Sequence, residues 1–544
     1  MLNLKRLRSN RGLAAFIALI VMIMLTLIGI AAIKISNDEV NIAGNELNEM
    51  KAFYGAEAGL ERASAAIQNQ YDATGYPPTT MPSGNETIND VIVAYNATDN
   101  GAAVQKPLSI GTLAGLNATI KTYTIKSTGI SQIDNSQVVL TQNFECALVP
   151  LFQFAVFYGN DLEIAPGPDM SLLGRVHSNG NIWLQAGSNL YMDSYVTCSG
   201  DLLHGRKGPG SVDNGNVFIK DTEGNHQNMK NGDGTFLTSA STDWYDSATV
   251  RWGGRVQDGA FGQSELNLPL STVGDPHKII ERASGNPDSY ENKAGLKIMN
   301  GRAYSPIGAV WTDVTALLPA GTITTGSFTD GREGQVVNST DVDMTLLASS
   351  GYIPANGVIY SSDQRAGSYN ALRLKNGSDI GSPLSVYSEN PMYVQGDYNT
   401  VNKQPAALAG DAITFLSNSW DDTKSTQPVG SRNASSTTCN ASIITGNTNT
   451  TSSDYNGGLE NLPRFLENWN GDDFTYKGSM VNLWNSQQAT GPWSYGSYYT
   501  APNRIWSYDS DLDDPTKLPP ETPQIRVFQR TGWKQMDVSY AQGN

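Results

Sequence analysis

One long apolar run stands near the start of the chain. Residues 13–33 are almost all apolar, and Lys5, Arg6, Arg8 and Arg11 precede Gly12 just ahead of them. As helix at ~1.5 Å per residue the run extends about 31 Å, enough to cross the hydrocarbon core of a bilayer. Beyond it, Val40, Leu47, Met50, Phe53, Ala56, Leu60 and Ala63 recur at helical spacing among charged and amide residues. This predicts a single helix over 13–70 whose second half carries an apolar stripe. Gly44, Gly55 and Gly59 each cost such a helix about 1 kcal/mol relative to Ala. They also allow a sheet or another helix to approach closely.

The prolines of 76–84 end the helix. Apolar and polar positions then alternate over 110–149, at Ile120, Tyr123, Ile125 and Ile130, with a turn at Asp134-Asn135 before a second run. This predicts antiparallel strands. From about 150 the texture changes to short apolar runs bounded by Gly, Asn, Asp or Ser: 156–164, 175–184, 195–203, 357–363, 372–378, 383–399, 411–420, 441–447 and 478–484. Gly180-Asn181-Ile182 and Gly200-Asp201-Leu202 repeat one element about twenty residues apart, near one turn of a three-sided parallel β-helix. Its corners would use Gly and Asn for positive φ. The expected fold is α+β: a long N-terminal helix with a small antiparallel sheet, then a large β-rich domain. That domain is read as an irregular right-handed β-solenoid with insertions at about 205–350 and 420–440, a β-sandwich being the alternative.

The first seventy residues resemble the N-terminal segment of PilX-type minor pilins of type IV pilus systems. The shared features are a basic leader ending in Gly, the apolar helix, an Ala-Gly-Asn box (Ala43, Gly44, Asn45) and an AF-x-x-AEAGLE box that includes Ala52, Phe53, Ala56 and Glu57. The resemblance implies a long pilin-type helix, a cut by prepilin peptidase between Gly12 and Leu13, and methylation of the new N-terminus. It divides the chain into a leader (1–12), a pilin-like domain (13–149) and an ectodomain (150–544). Major pilins carry Glu at the fifth mature position, which here is Ile17. In a filament that Glu pairs with a neighbour's N-terminal amine, and a buried charge is tolerated only when paired. Its absence suits a subunit at a filament tip, and the tip pseudopilin of type II secretion resembles this chain in lacking it. The implied partners are prepilin peptidase, other minor pilins, a tip adhesin and, before assembly, the inner membrane. The segments GRVHSNGNIWL, NPMYVQGDYNT, LENLPRFLENWNG and SMVNLWNSQQATGPW resemble a large ectodomain recurrent behind PilX-type N-termini, which implies architecture and no particular chemistry.

Composition agrees with an extracytoplasmic β-rich chain. Charged residues make up 16% of 544, with 54 glycines. The net charge of −16 disfavours nucleic acid as a partner. Three cysteines, Cys146, Cys198 and Cys439, form no C-x-x-C pair, so a zinc site is not expected and any disulfide pairing stays open.

Catalytic patterns are sparse. His177, His204, His226 and His277 lie outside any H-E-x-x-H, and no G-x-S-x-G or Walker motif occurs. His177 is expected as a hydrogen-bonding corner residue. Asp421-Asp422 and Asp472-Asp473 are expected as acidic loop ends, because neighbours on a strand face opposite ways. Asp509, Asp511 and Asp513 have the alternate spacing that opens an EF-hand loop, but Asp514 stands where that loop needs Gly. They are a Ca²⁺ candidate and nothing more. The aromatic segment 484–506 is either a recognition surface or a cap on the end of the core, and the cap is preferred. The chain therefore reads as a non-enzymatic subunit without cofactor. It would be inserted by its helix in the inner membrane and then displayed at a filament tip, in assembly priming or adhesion. The rival reading is a surface-anchored carbohydrate-binding or carbohydrate-active β-helix protein.

Overall fold

The computed structural model describes residues 10–208, 210–271, 275–367, 369–451 and 454–536. Helix α1, Asn10–Thr74, runs unbroken for 65 residues. It stops at Gly75, which takes φ 72° and donates its N–H to the Tyr71 carbonyl, a left-handed glycine cap. Five strands follow: β1 (Ser83–Ile88), β2 (Val91–Asp99), β3 (Val104–Pro107), β4 (Asn117–Ser131) and β5 (Gln137–Pro150). β4 and β5 are the two strands expected over 110–149. They are joined at Asn135, which is in left-handed conformation.

The sheet runs β1-β2-β4-β5, with β3 beside β4, and its last strand comes from the far end of the chain. Gln524–Met536 pairs antiparallel with β5, from Gln524↔Pro150 to Met536↔Val139, with one irregularity between Thr531 and Trp533. The chain leaves and re-enters this antiparallel sheet at paired residues, so residues 151–523 are inserted between two neighbouring strands. Nothing in the alternation of 524–536 names β5 as its partner.

The inserted region is built mainly of parallel ladders. Leu162, Ile182 and Leu202 stack in register at twenty-residue steps, as do Val156, Val176 and Val196. A second series runs Ile359, Val386, Leu408, Ile443 and Met480, at wider and unequal steps. The two series meet where Met480 pairs with Val156, which makes one twelve-stranded sheet. The first array starts at that seam and grows away from it; the second starts at the far edge and returns to it. The stretch 205–350 is less foreign than expected, since Leu296–Met299 and Gln335–Asp343 both enter parallel ladders.

Leu162, Ile164, Val176, Ile182, Leu184, Val196 and Leu202 point into one continuous core, the burial expected of apolar runs on parallel sheets. The glycine of the repeated element has a spatial reason and not the conformational one expected. Neither Gly180 nor Gly200 has positive φ. A Cβ on Gly180 would lie 2.4 Å from Asp161 Oδ1 and 2.8 Å from the Asp161 nitrogen, and one on Gly200 2.2 Å from Asn181 Oδ1. Each Asp or Asn fills the space over the next glycine and accepts a main-chain N–H from the next rung, Asp161 from Asn181 and Asn181 from Asp201. A second core lies on the outer face of the twelve-stranded sheet. There Tyr360, Tyr387, Val481 and Leu483 meet Val149 and Ile525 of the antiparallel sheet and Ile279, Ile280 and Tyr290 of a covering arm.

Candidate assembly helix

Helix α1 divides sharply in its environment. Ala52, Ala56, Leu60, Ala63, Ile67 and Tyr71 are buried against Tyr123, Ile125, Val138, Leu140, Phe144 and Cys146. These positions repeat every three or four residues, so they form one face of the helix, small at Ala52 and Ala56 and large at Ile67 and Tyr71. The approach is close enough to need glycine on both sides. A Cβ on Gly129 of β4 would lie 2.0 Å from the Ala52 carbonyl oxygen, and one on Gly59 of the helix 2.2 Å from Ser127 Oγ. Gly55 is similarly confined by Val91, whereas Gly44 meets nothing within 4 Å. The expected stripe thus splits. Ala56, Leu60 and Ala63 face the sheet, Phe53 is half-buried, and Val40, Leu47 and Met50 are exposed.

Polar contacts fix the seat. Tyr71 donates to the Ala147 carbonyl at 2.7 Å, and burial holds its phenol far above the ordinary range. Arg530 of the last strand pairs with Glu61, and Arg62 with Glu86. Trp533 packs edge-on against Phe53, with 6.3 Å between ring centroids. Asn48 is buried at the edge of the seat, and nearby Ser136 donates to Asp134, whose carboxyl it chiefly holds down at about 2. The last strand is therefore both a sheet edge and a clamp on the helix.

Ahead of Asn48 the helix has almost no packing from its own chain. Within it an 18-residue window has mean hydropathy 3.0, long and apolar enough to cross a membrane. Leu13 is 64% exposed and Ile17 52%. Ala43, Asn45 and Glu57 are also exposed, and Gly44 is partly so. Of the boxed residues Ala52, Gly55, Ala56, Gly59 and Leu60 are buried. Gly12 and Leu13 lie within the continuous helix, and residues 1–9 of the leader lie outside the described residues.

The other candidates are structural. Lysines occupy the acidic cluster: Lys403 bridges Asp509 and Asp511, Lys477 lies 3.4 Å from Asp509, and Lys517 2.9 Å from Asp511. Asp513 instead accepts from the Tyr508 hydroxyl at 2.8 Å. Among the described residues no group of three His, Cys, Asp or Glu side chains is placed to hold a metal. His177 bonds Thr197 and Asn179, and burial pushes its pKa down to about 4, so the ring stays neutral. His204 stacks on Phe236, and His226 faces Asp193. Asp422 pairs with the buried Arg373, while Asp421 caps the turn that follows it. Of the aromatic segment, Trp484 and Tyr499 are buried, Trp493 and Trp506 pack on the core, and Tyr495 is exposed. Cys146, Cys198 and Cys439 are buried free thiols.

Residues 11–61 match the PilX N-terminal family model, so the chain carries a PilX-type pilin helix. A solved structure, the competence-associated pilin ComZ from Thermus thermophilus, aligns at 12% identity over 90% of this chain and 97% of that one, with a TM-score of 0.32. No curated protein matches the sequence. The chain is a type IV pilin-like protein with an N-terminal pilin helix and a large β-rich region.

Proposed function

We propose that this protein is a minor pilin-like subunit of a type IV pilus or related filament, acting at the tip in assembly priming or adhesion. The observation that carries the reading is the division of α1. Residues 52–71 are locked to the chain's own sheet, while 13–33 offer an exposed apolar helical surface that only lipid or other helices can cover. In the membrane that half stores the subunit; on extraction it packs among the helices of other pilins. Ile17 in place of an acidic residue removes the need for a neighbour's amine. The inserted region is bulky beside its sheet, which suits low copy number at an end over repetition along a shaft. On this reading the parallel arrays are two halves of a right-handed β-solenoid that display a surface outside the cell. The role is structural, with prepilin peptidase, minor pilins and a tip adhesin as partners.

The test is the mature N-terminus, measured by mass spectrometry on protein from its native membrane with prepilin peptidase present and deleted. A peptidase-dependent, methylated N-terminus at Leu13 is expected. Met1 retained in both strains would exclude the pilin pathway.

A further inference from the structure

The arm 275–294 covers the outer face of the twelve-stranded sheet. It is held by apolar burial of Ile279, Ile280 and Tyr290 and by the contacts of one buried imidazole. That imidazole is His277, which is 2% exposed. Its Nδ1 lies 2.8 Å from Glu281 Oε1 on the arm itself, and its Nε2 lies 3.4 Å from Asp411 Oδ1 on the body. Asp411 is fully buried, accepting N–H groups from Gln487, Gln488 and Ala489 at 2.5–3.0 Å. The residue lines two cavities of about 510 and 430 Å³, and the Trp484 ring meets its ring edge-on at 5.5 Å.

A neutral imidazole has one N–H and one lone pair. Here both nitrogens face carboxylate oxygens, so a neutral ring must set its lone pair against one of them. The protonated ring donates from Nδ1 to Glu281 and holds its second N–H, which has no hydrogen-bond partner, at ion-pair distance from Asp411, and so links arm to body. A metal ion would draw both carboxylates to one nitrogen; here they lie on opposite sides of the ring.

We propose that His277 is a proton-operated latch: the imidazolium holds the arm on the sheet, and loss of its proton loosens the arm locally. The surrounding charges agree. On the arm, Lys278 pairs with Glu281 at 2.5 Å, Asp275 caps the His277 N–H, and Arg282 reaches Ser362 and lies 3.7 Å from Glu389 of the body. The two carboxylates facing the ring outweigh its desolvation, and its pKa is raised above 6.5. A raised histidine value contributes stability that is complete below 6.5 and lost as pH rises through the folded value. Because Ile280 and Tyr290 share a core with Val149 and Ile525, loosening the arm also softens the junction between the antiparallel sheet and the inserted region.

The experiment is hydrogen exchange by mass spectrometry on the full chain in detergent micelles, from pH 5.5 to 8.5, with intrinsic exchange rates divided out. Peptides covering 275–291 are expected to lose protection above pH 6.5, by up to about tenfold per pH unit. Peptides from Asn370–Lys375 stay flat. Glu281→Gln removes one of the two carboxylates and moves the transition to lower pH; His277→Gln removes it and leaves the arm weakly protected throughout. Arm protection independent of pH, or a transition unmoved in Glu281→Gln, would overturn the proposal. The partly exposed position of Glu281 keeps that variant usable should His277→Gln fail to fold.

Discussion

Gly129→Ala tests whether the helix is seated on its sheet by main chain against main chain. The added methyl would lie 2.0 Å from the Ala52 carbonyl oxygen and 2.8 Å from the Ala56 nitrogen. Neither atom belongs to a side chain that can swing away. Restoring ordinary contact requires helix and strand to separate by more than about 1 Å, and a gap of that size forfeits a quarter to a half of each dispersion contact it opens. The buried face from Ala52 to Tyr71 is what such a shift would loosen. Overpacking costs typically 1–3 kcal/mol, and with backbone on both sides the expected loss is about 3 kcal/mol. Gly44→Ala is the matched control, for nothing lies within 4 Å of its Cβ position. It should gain about 1 kcal/mol from helix propensity alone. Denaturant titration of the detergent-solubilised full chain, followed by proteolysis within 52–71, reads both. A Gly129→Ala protein within about 0.5 kcal/mol of the parent, or a Gly44→Ala protein equally destabilised, would refute a backbone-limited seat.

Gly180→Ala should destabilise the first parallel array, because the new methyl meets both Asp161 Oδ1 and the Asp161 nitrogen; a melting temperature equal to the parent's would count against the spatial reading of that glycine. Burial raises the Glu460 carboxyl to about 7 from 4.5, so its ionisation on the folded protein costs about 3 kcal/mol at 1.36 kcal/mol per pH unit. That cost is absent below pH 4.5 and complete above about 7, so Glu460→Gln should be more stable than the parent at pH 8 and level with it at pH 4 in paired urea titrations. Removing residues 524–544 should expose the edge of β5 and release Glu61 and Phe53 from their partners, with helix 52–71 becoming protease-sensitive while Ile359 and Val386 peptides stay protected. Added Ca²⁺ should leave the melting temperature unchanged, since Lys403, Lys477 and Lys517 already neutralise the acidic cluster; stabilisation that saturates with Ca²⁺ would contradict this.

The primary sequence by itself determined the local elements and the likeness of its first segment. An unbroken apolar run with cations ahead of it can only be a long helix suited to lipid, and the Ala-Gly-Asn and AEAGLE boxes name its kind within sixty residues. Short Val, Ile and Leu runs punctuated by Gly-Asn and Gly-Asp gave the strands of the parallel ladders, because each side chain's burial is written in its own residue type. Partnership across hundreds of residues was decided only in three dimensions. The final strand pairs with β5 because its backbone completes that edge and Arg530 finds Glu61 there; neither strand carries a local mark of the other. The seam between Val156 and Met480 is of the same sort. So is the setting of His277, whose two carboxylates come from its own turn and from a strand end far along the chain. Hydrogen-bond edges and charges are generic, and which of them meet depends on how the packed layers bring distant segments together.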